Sequence, residues 1–433
     1  MHPKLRVLTF TSLYPNAAMP NFGIFVENRI SRVAQTGEAE IRVVAPVPWF
    51  PSRRSIFGRY ARWASVPCRE VRRGLEVVHP RYPLLPKFGM LVHPLAMAVA
   101  AMPALRRLRR QGFDFDLIDA HYFYPDGVAA LLLGQWLRRP VVITGRGTDL
   151  SLYPQRHAVV RRVIAWAARH AAASVAVSAR LRDVLVDLGA PPARLHVLRN
   201  GVDLELFRPR DRERARRDLF LTKLTLASVG NLIELKGHHL VIEALALLPD
   251  CQLLIAGEGP ERGRLTALAA SIGVGARVTF LGELPHEQTA SIYSAADILV
   301  LASSREGWPN VVLEAMACGT PVVATAVGGV TEMLTAPLVG RLLQERSATA
   351  LAATVMDLLA DRPDRAATRR HAETFSWDVI TARQLAIFRK VVAERRPVQR
   401  RSCTGPRPFE EAEPDPPLAT AREPRLTPNT RER

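Results

Sequence analysis

Two glutamates, Glu306 and Glu314, lie eight positions apart in SSREGWPNVVLEAMACGTPVVAT. Pro309 and Asn310 have the character of first-turn residues, Val311 to Cys318 follow helical periodicity, and Gly319 with Pro321 supplies a stop. Glu306 therefore falls in the loop before a helix and Glu314 about one turn inside it. Between them, the first-turn amides of Asn310 and Val311, at the positive end of the helix dipole, form a seat for phosphate. A carboxylate accepts two hydrogen bonds from a vicinal diol, so the set suits phosphates flanked by sugar hydroxyls, as in a sugar nucleotide. Two glutamates at this spacing also occur by chance on solvated helices, so the surroundings must decide.

Those surroundings are strands. SAADILVLAS before the pair and PVVATAVGG after the helix read as buried parallel strands, the second ending in a Gly328-Gly329 turn. In open parallel sheets ligands sit beyond the carboxyl ends of the strands, where Glu306 and this glycine turn both fall.

The run from Val229 to Leu334 resembles the nucleotide-binding half of the retaining GT-B glycosyltransferases of family 4. It carries VGNLIELKGHHLVIEAL, LLIAGEGPERGRLTALAASIGV, VTFLGEL, the glutamate-bearing segment and VGGVTEML in that family's order. The resemblance implies that Glu306 touches the donor sugar, that Glu314 holds the ribose diol, and that Gly328 and Gly329 offer amides to the diphosphate. Lys236, in LKGH, matches the lysine that holds the departing diphosphate; a fixed ammonium stabilises that group more as its charge grows in the transition state. Five residues earlier the family usually has arginine, where this chain has Asn231, which donates hydrogen bonds without charge. Diphosphate binding is then weaker, or shared with Arg305.

In the first half, RVLTF reads as a strand, SLYPNAAMPNFG as a loop and IFVENRISRVAQTG as a helix closed by Gly37. Gly23 at the helix start permits close backbone approach to a ligand, and the resemblance places a glycine loop at the domain cleft here. FDFDLIDAHYFYPDGVAALLL reads as a strand from Phe115 to about Ala120, with His121 at its carboxyl end. The resemblance makes His121 the histidine facing the donor sugar, where it helps shape the cationic anomeric centre. Asp114 and Asp116 spell DFD, a metal-binding pattern in another transferase fold. Strand rise puts them roughly 15 Å from the His121 end, so they read as strand-entry residues. No His or Cys spacing suits zinc, and no metal or cofactor requirement is predicted. VVITGRGTDL is similar to a cleft-lining segment of the family, making Arg146 and Asp149 candidate acceptor or donor contacts. Ser178 reads as a helix cap, and Asn200-Gly201 with Asp203 as a structural turn before the second domain.

The elements that must position these residues alternate as apolar strands and amphipathic helices. A chain of 433 residues that is 48% hydrophobic accommodates two doubly wound, Rossmann-like α/β domains facing across a cleft. The expected boundaries are 1–205 for the acceptor side and 206–378 for the nucleotide-sugar side. A helix over 379–396, in FSWDVITARQLAIFRKVV, crosses back to the first domain, and a disordered tail occupies 397–433.

The net charge of +18 is uneven. From Arg53 to Arg110 there are thirteen Lys or Arg against Glu70 and Glu76, whereas the segment from Pro397 has seven arginines and six acids. A basic first domain with Trp49, Phe50, Phe57, Tyr60 and Trp63 interleaved suits an anionic membrane surface or a phosphate-bearing acceptor; a solvated basic face is the plainer alternative. PKFGMLVHPLAMAVAAMPALRRLRR is interrupted by Lys87, His93, Pro94 and Pro103, and so is expected to be interfacial and not membrane-spanning. No signal peptide is read before the Leu5 strand. Cys68, Cys251, Cys318 and Cys403 give no disulfide framework, in keeping with a reducing cytoplasm.

Together these readings predict a retaining hexosyltransferase that needs no metal and acts on a lipid-linked saccharide, peripheral on the inner face of the plasma membrane. The motif resemblance points toward cell-surface polysaccharide transferases of the teichuronic-acid or exopolysaccharide type. A UDP-sugar is the expected donor, with a GDP-sugar as the alternative, and no nucleic acid is expected. Two other classes stand against this reading. One is a phosphorylase using pyridoxal phosphate, for which no lysine site is visible. The other is an inactive GT-B protein that binds membrane or nucleic acid through its basic domain.

Overall fold

The computed structural model describes residues 4–84 and 89–395; Lys87, Cys403, the last position of the helix expected over 379–396 and the tail expected over 397–433 lie outside the described residues. Two sheets organise the chain. The first runs Leu195–Val197, Ala173–Ala176, Val141–Gly145, Leu117–His121, Leu5–Phe10, Ala39–Val44, Leu75–Val78, Arg69–Arg72. All of its pairings are parallel except the last, a hairpin at one edge. The second runs Val278–Gly282, Cys251–Ala256, Leu224–Val229, Ile298–Leu301, Val322–Thr325, Gly340–Leu343, parallel throughout.

Both sheets are covered on two faces, and so their central strands are apolar at most positions, whereas the edge strand Arg69–Arg72 is mostly polar and partly exposed. Alternation still assigns the faces: in the central strand Val7 joins one core cluster while Leu8 and Phe10 join another. In the second sheet Leu253 and Leu254 divide in the same way. The larger cluster continues through Val202 and Phe207 in the linker to Trp308 and Leu313, so one apolar body joins the two lobes. The last helix, Trp377–Arg395, buries Trp377, Ile380, Leu385, Phe388 and Val391 against Leu5, Val7, Val26 and Ile30 of the first lobe.

Each sheet has one point where strand order reverses. In the first it lies between Leu5–Phe10 and Leu117–His121, in the second between Leu224–Val229 and Ile298–Leu301. The loops leaving the carboxyl ends of these four strands carry Gly23, His121, Lys236 and Glu306, where a doubly wound sheet binds its ligand.

Candidate active site at the cleft between the lobes

The helix after Glu306 spans Asn310–Ala317 with Pro309 ahead of it. Gly319, at φ +77°, closes it; its amide donates to Met316 and that of Thr320 to Ala315, both at 2.9 Å. Glu314 sits one turn in and is 8% exposed. Its Oε2 accepts from the Tyr293 hydroxyl at 2.9 Å, and its Oε1 lies 3.1 Å from His286 Nε2. Burial raises the Glu314 pKa, against the opposing pull of His286 and the Tyr293 hydrogen bond.

Lys236 ends a short turn, Glu234–Lys236, that is docked on the next strand's exit. Ser304 donates its amide to the Leu235 carbonyl at 2.8 Å, and a Cβ on Gly237 would stand 2.1 Å from the Ala302 oxygen. That docking brings Lys236 Nζ to 2.6 Å from Glu306 Oε1, the two side chains 21% and 10% exposed. Asn231 is exposed at the start of the same loop, its carbonyl 3.3 Å from His238 Nε2. Gly328, at φ +56°, lies against the Glu306 carbonyl so closely that a Cβ would fall at 1.9 Å. The Gly329 amide donates to the Gly307 carbonyl at 3.0 Å, so this member of the expected amide pair serves the loop itself.

His121 is the last residue of its strand and its ring is wholly buried. Arg146 Nη2 donates to Nδ1 at 2.7 Å, and Nε2 stands 3.1 Å from Asp119 Oδ2 without hydrogen-bond alignment, a coulombic contact. Burial pushes the imidazole down to about 4, Arg146 adding to it and Asp119 opposing it. Buried between Arg146 and Asp119 at the end of its strand, the ring is disfavoured from taking up a proton.

Three of the residues read from the sequence acquire a structural setting. Gly23, at φ +72°, is required by its own lobe, because a Cβ there would lie 2.5 Å from the Leu13 carbonyl group. Asp149 is fully buried and accepts the amides of Phe123, Arg146 and Gly147, so its carboxylate shapes the loop. Asn200, read as a turn residue, is a node between the lobes. Its Oδ1 accepts from Arg146 at 2.9 Å and Arg29 at 3.2 Å, its Nδ2 donates to Asn310 at 3.0 Å, and its carbonyl accepts from Trp308 at 3.1 Å. The DFD aspartates are at the opposite end of the sheet, Asp114 paired with Arg109 and Arg139, and Asp116 accepting the Arg6 amide.

Further contacts hold the cleft closed. Glu332 pairs with Arg199 and accepts the Ala179 amide at 2.7 Å, while Asn21 donates to Glu283 at 2.8 Å. A Cβ on Gly307 would fall 2.1 Å from the Arg146 carbonyl oxygen, so the backbones of the two lobes touch. Sequence reasoning did not single out Arg29, Asp119, His286, Tyr293 or Glu332. Arg29 carried a signal, as a charged residue on the apolar stripe of Val26, Ile30 and Val33; the others meet their partners only through tertiary packing. Among the described residues no cluster of three or more His, Cys, Asp or Glu could hold a metal ion, and no helix is long and apolar enough to cross a membrane.

Two doubly wound lobes closing on a cleft with these loops at its rim define the GT-B fold. Residues 209–375 match the family described as Glycosyl transferases group 1, and residues 40–206 that described as Glycosyltransferase Family 4. The chain is similar to TuaC of Bacillus subtilis, a glycosyltransferase assigned to teichuronic acid biosynthesis, at 30% identity over 81% of this chain and 88% of that protein. It is also similar to the D-inositol 3-phosphate glycosyltransferase of Mycobacterium tuberculosis, at 31% identity over 78% and 75%. Among solved structures it is similar in fold to Anabaena HepE in complex with UDP-glucose, with a TM-score of 0.66 and 20% identity over 89% of this chain and all of that one. The chain belongs to the group 1 glycosyltransferases, with a family 4 first lobe.

Proposed function

We propose that this enzyme moves a hexose from a nucleoside diphosphate sugar, with UDP as the nucleotide, to a hydroxyl of a lipid-linked saccharide, with retention of anomeric configuration. The observation that carries the reading is the meeting of Lys236 and Glu306 at 2.6 Å, on the two loops that flank the second sheet's switch point. In this reading the donor diphosphate takes over the Lys236 ammonium, aided by the start of the Asn310–Ala317 helix, while the sugar hydroxyls take over Glu306. Glu314, held by Tyr293 and His286, presents its carboxylate to the ribose diol.

Retention through a covalent intermediate needs a carboxylate free to attack. Asp119 and Asp149 are the carboxylates beside His121 and Arg146; both are buried, and Asp149 is engaged by three amides. That disposition favours departure and attack on one face of the sugar, the leaving phosphate taking the acceptor proton. His121, neutral and held by Arg146, steadies the sugar side of the cleft and is not the proton donor. Lys236 supplies the charge that a metal would otherwise supply, so transfer proceeds without one. The UDP-glucose complex of HepE supports the donor class, the teichuronic acid biosynthesis to which TuaC is assigned supports a saccharide acceptor, and the D-inositol 3-phosphate relative supports acceptors that carry phosphate.

A panel of nucleotide sugars tests this by thermal stabilisation, followed by transfer assays with and without chelator and NMR of the product anomer. Stabilisation by one UDP-sugar, chelator-resistant transfer and loss of turnover in Glu306→Ala are expected. A panel with no stabilising donor, or an inverted product, overturns the reading.

A further inference from the structure

The first lobe exposes large apolar side chains inside its basic segment. Trp49 is 58% exposed, Ile56 81% and Phe57 41%, within nine residues of one another. Exposed Arg53, Arg54, Arg59 and Arg62 are interspersed among or follow them, and no Asp or Glu occurs from Ile41 to Arg69. Single exposed hydrophobes are ordinary, but three together with a rim of one charge mark an interaction surface.

The surface is braced from within. Phe50 packs on Phe57 and on Tyr60 with ring centroids 5.2 Å apart, Tyr60 on Trp63 at 5.3 Å, and the Arg59 guanidinium covers Tyr60 at 5.2 Å. Arg81 donates to the Trp63 carbonyl at 2.7 Å, tying the short helix Arg59–Ser65 to the body of the lobe. The Trp49 amide donates to the Tyr82 carbonyl at 2.7 Å, and the Tyr82 hydroxyl meets His93 at 3.0 Å. Tyr82 thereby joins this segment to the helix that carries exposed Val92, Leu95 and Val99 at helical spacing.

We infer that the 49–63 segment docks the enzyme on an anionic lipid bilayer, with Trp49, Ile56 and Phe57 entering the interface and the four arginines binding headgroups. Charge complementarity selects a negative partner, and the apolar tips select one with a hydrocarbon interior. Single-stranded nucleic acid fits less well: Tyr60 and Trp63 are engaged by Phe50, Arg59 and each other, and Ile56, the most exposed of the three tips, offers no stacking plane. Trp49 follows the carboxyl end of strand Ala39–Val44, at the end of the sheet that also carries His121, so docking turns the cleft end of this lobe toward the bilayer. The inference is independent of the donor reading, because it is tested without turnover.

The test is co-sedimentation of the full chain with phosphatidylcholine vesicles containing about 30 mol% phosphatidylglycerol, against vesicles of phosphatidylcholine alone, at low and high salt. Binding to anionic vesicles only, weakened by salt, is expected. The triple variant W49S/I56S/F57S should bind about tenfold or more weakly with a thermal midpoint within about 3 °C of wild type, since Trp49 and Ile56 are mostly exposed and Phe57 gives up only its edge contact with Phe50. Brominated lipid should quench fluorescence of the wild type more than that of Trp49→Phe. No binding to anionic vesicles overturns the inference. So does binding that the triple variant leaves intact while DNA competes it away, which would make the face a polyanion site. Concentration-dependent dimers abolished by the triple variant, without lipid binding, would assign the face to a second copy and overturn it equally.

Discussion

The ammonium of Lys236 lies 2.6 Å from Oε1 of Glu306, joining residues seventy positions apart at the mouth of the second sheet's switch point. The group proposed to hold the diphosphate and the group proposed to hold the sugar satisfy each other, so a donor must part them. Glu306 therefore competes with phosphate for Lys236. Glu306→Gln should bind free UDP several-fold more tightly in calorimetry, while transfer falls about a thousandfold. Lys236→Met should lose affinity for UDP. Equal UDP affinity in wild type and Glu306→Gln would show that the pair does not gate the site.

Arg29 is fully buried and donates to the carbonyls of Leu198 at 2.7 Å and Arg199 at 2.6 Å, and to Asn200. It ties the helix Ile24–Gln35 to the linker, with Gln384 of the last helix 3.5 Å away. Arg29→Leu removes the donors and leaves those carbonyls without a partner, so a loss of about 3 kcal/mol or more is expected in denaturant unfolding. A change below about 1 kcal/mol would mean that the linker is held by packing alone.

Gly307 touches the opposite lobe, where a Cβ would lie 2.1 Å from the Arg146 oxygen and 2.9 Å from Gly147 Cα. Gly307→Ala should leave each lobe folded but hold the cleft about an ångström too wide. The expected result is a roughly hundredfold fall in kcat/KM, with a thermal midpoint within about 3 °C of wild type. Unchanged turnover would show that catalysis does not use this closed arrangement.

Burial pushes His121 and His238 each down to about 4 from 6.5, while burial pushes Asp126 up to about 7 from 3.8. Between pH 6.5 and 4 the folded protein binds fewer protons at the two rings than the unfolded chain, so these rings make stability fall on acidification. Asp126 has the opposite sign, its folded form holding a proton that the unfolded chain releases. Each contributes a slope of at most about 1.4 kcal/mol per pH unit. In thermal scans from pH 7 to 4, Asp126→Asn should steepen the acid loss and His238→Gln should flatten it. Identical slopes in all three proteins would contradict the assignment.

The sequence by itself was enough for the doubly wound architecture and for the local frame of the Glu306–Glu314 helix. Strand periodicity, glycine stops and the helix start at Asn310 are encoded within a few residues of one another. The Gly319 stop is an example, since its positive φ and the two amide bonds around it depend only on neighbours. Which groups meet across long stretches of chain was decided by tertiary structure. The tight approach of Gly237 to Ala302 makes Lys236 a partner of Glu306, and the crossing of the linker beneath both lobes turns Asn200 from a turn residue into the contact between Arg146 and Asn310. The physical reason is range: propensity and spacing act along the chain, whereas burial in a closed cleft pairs charges and polar groups by proximity in space, whatever their separation in sequence.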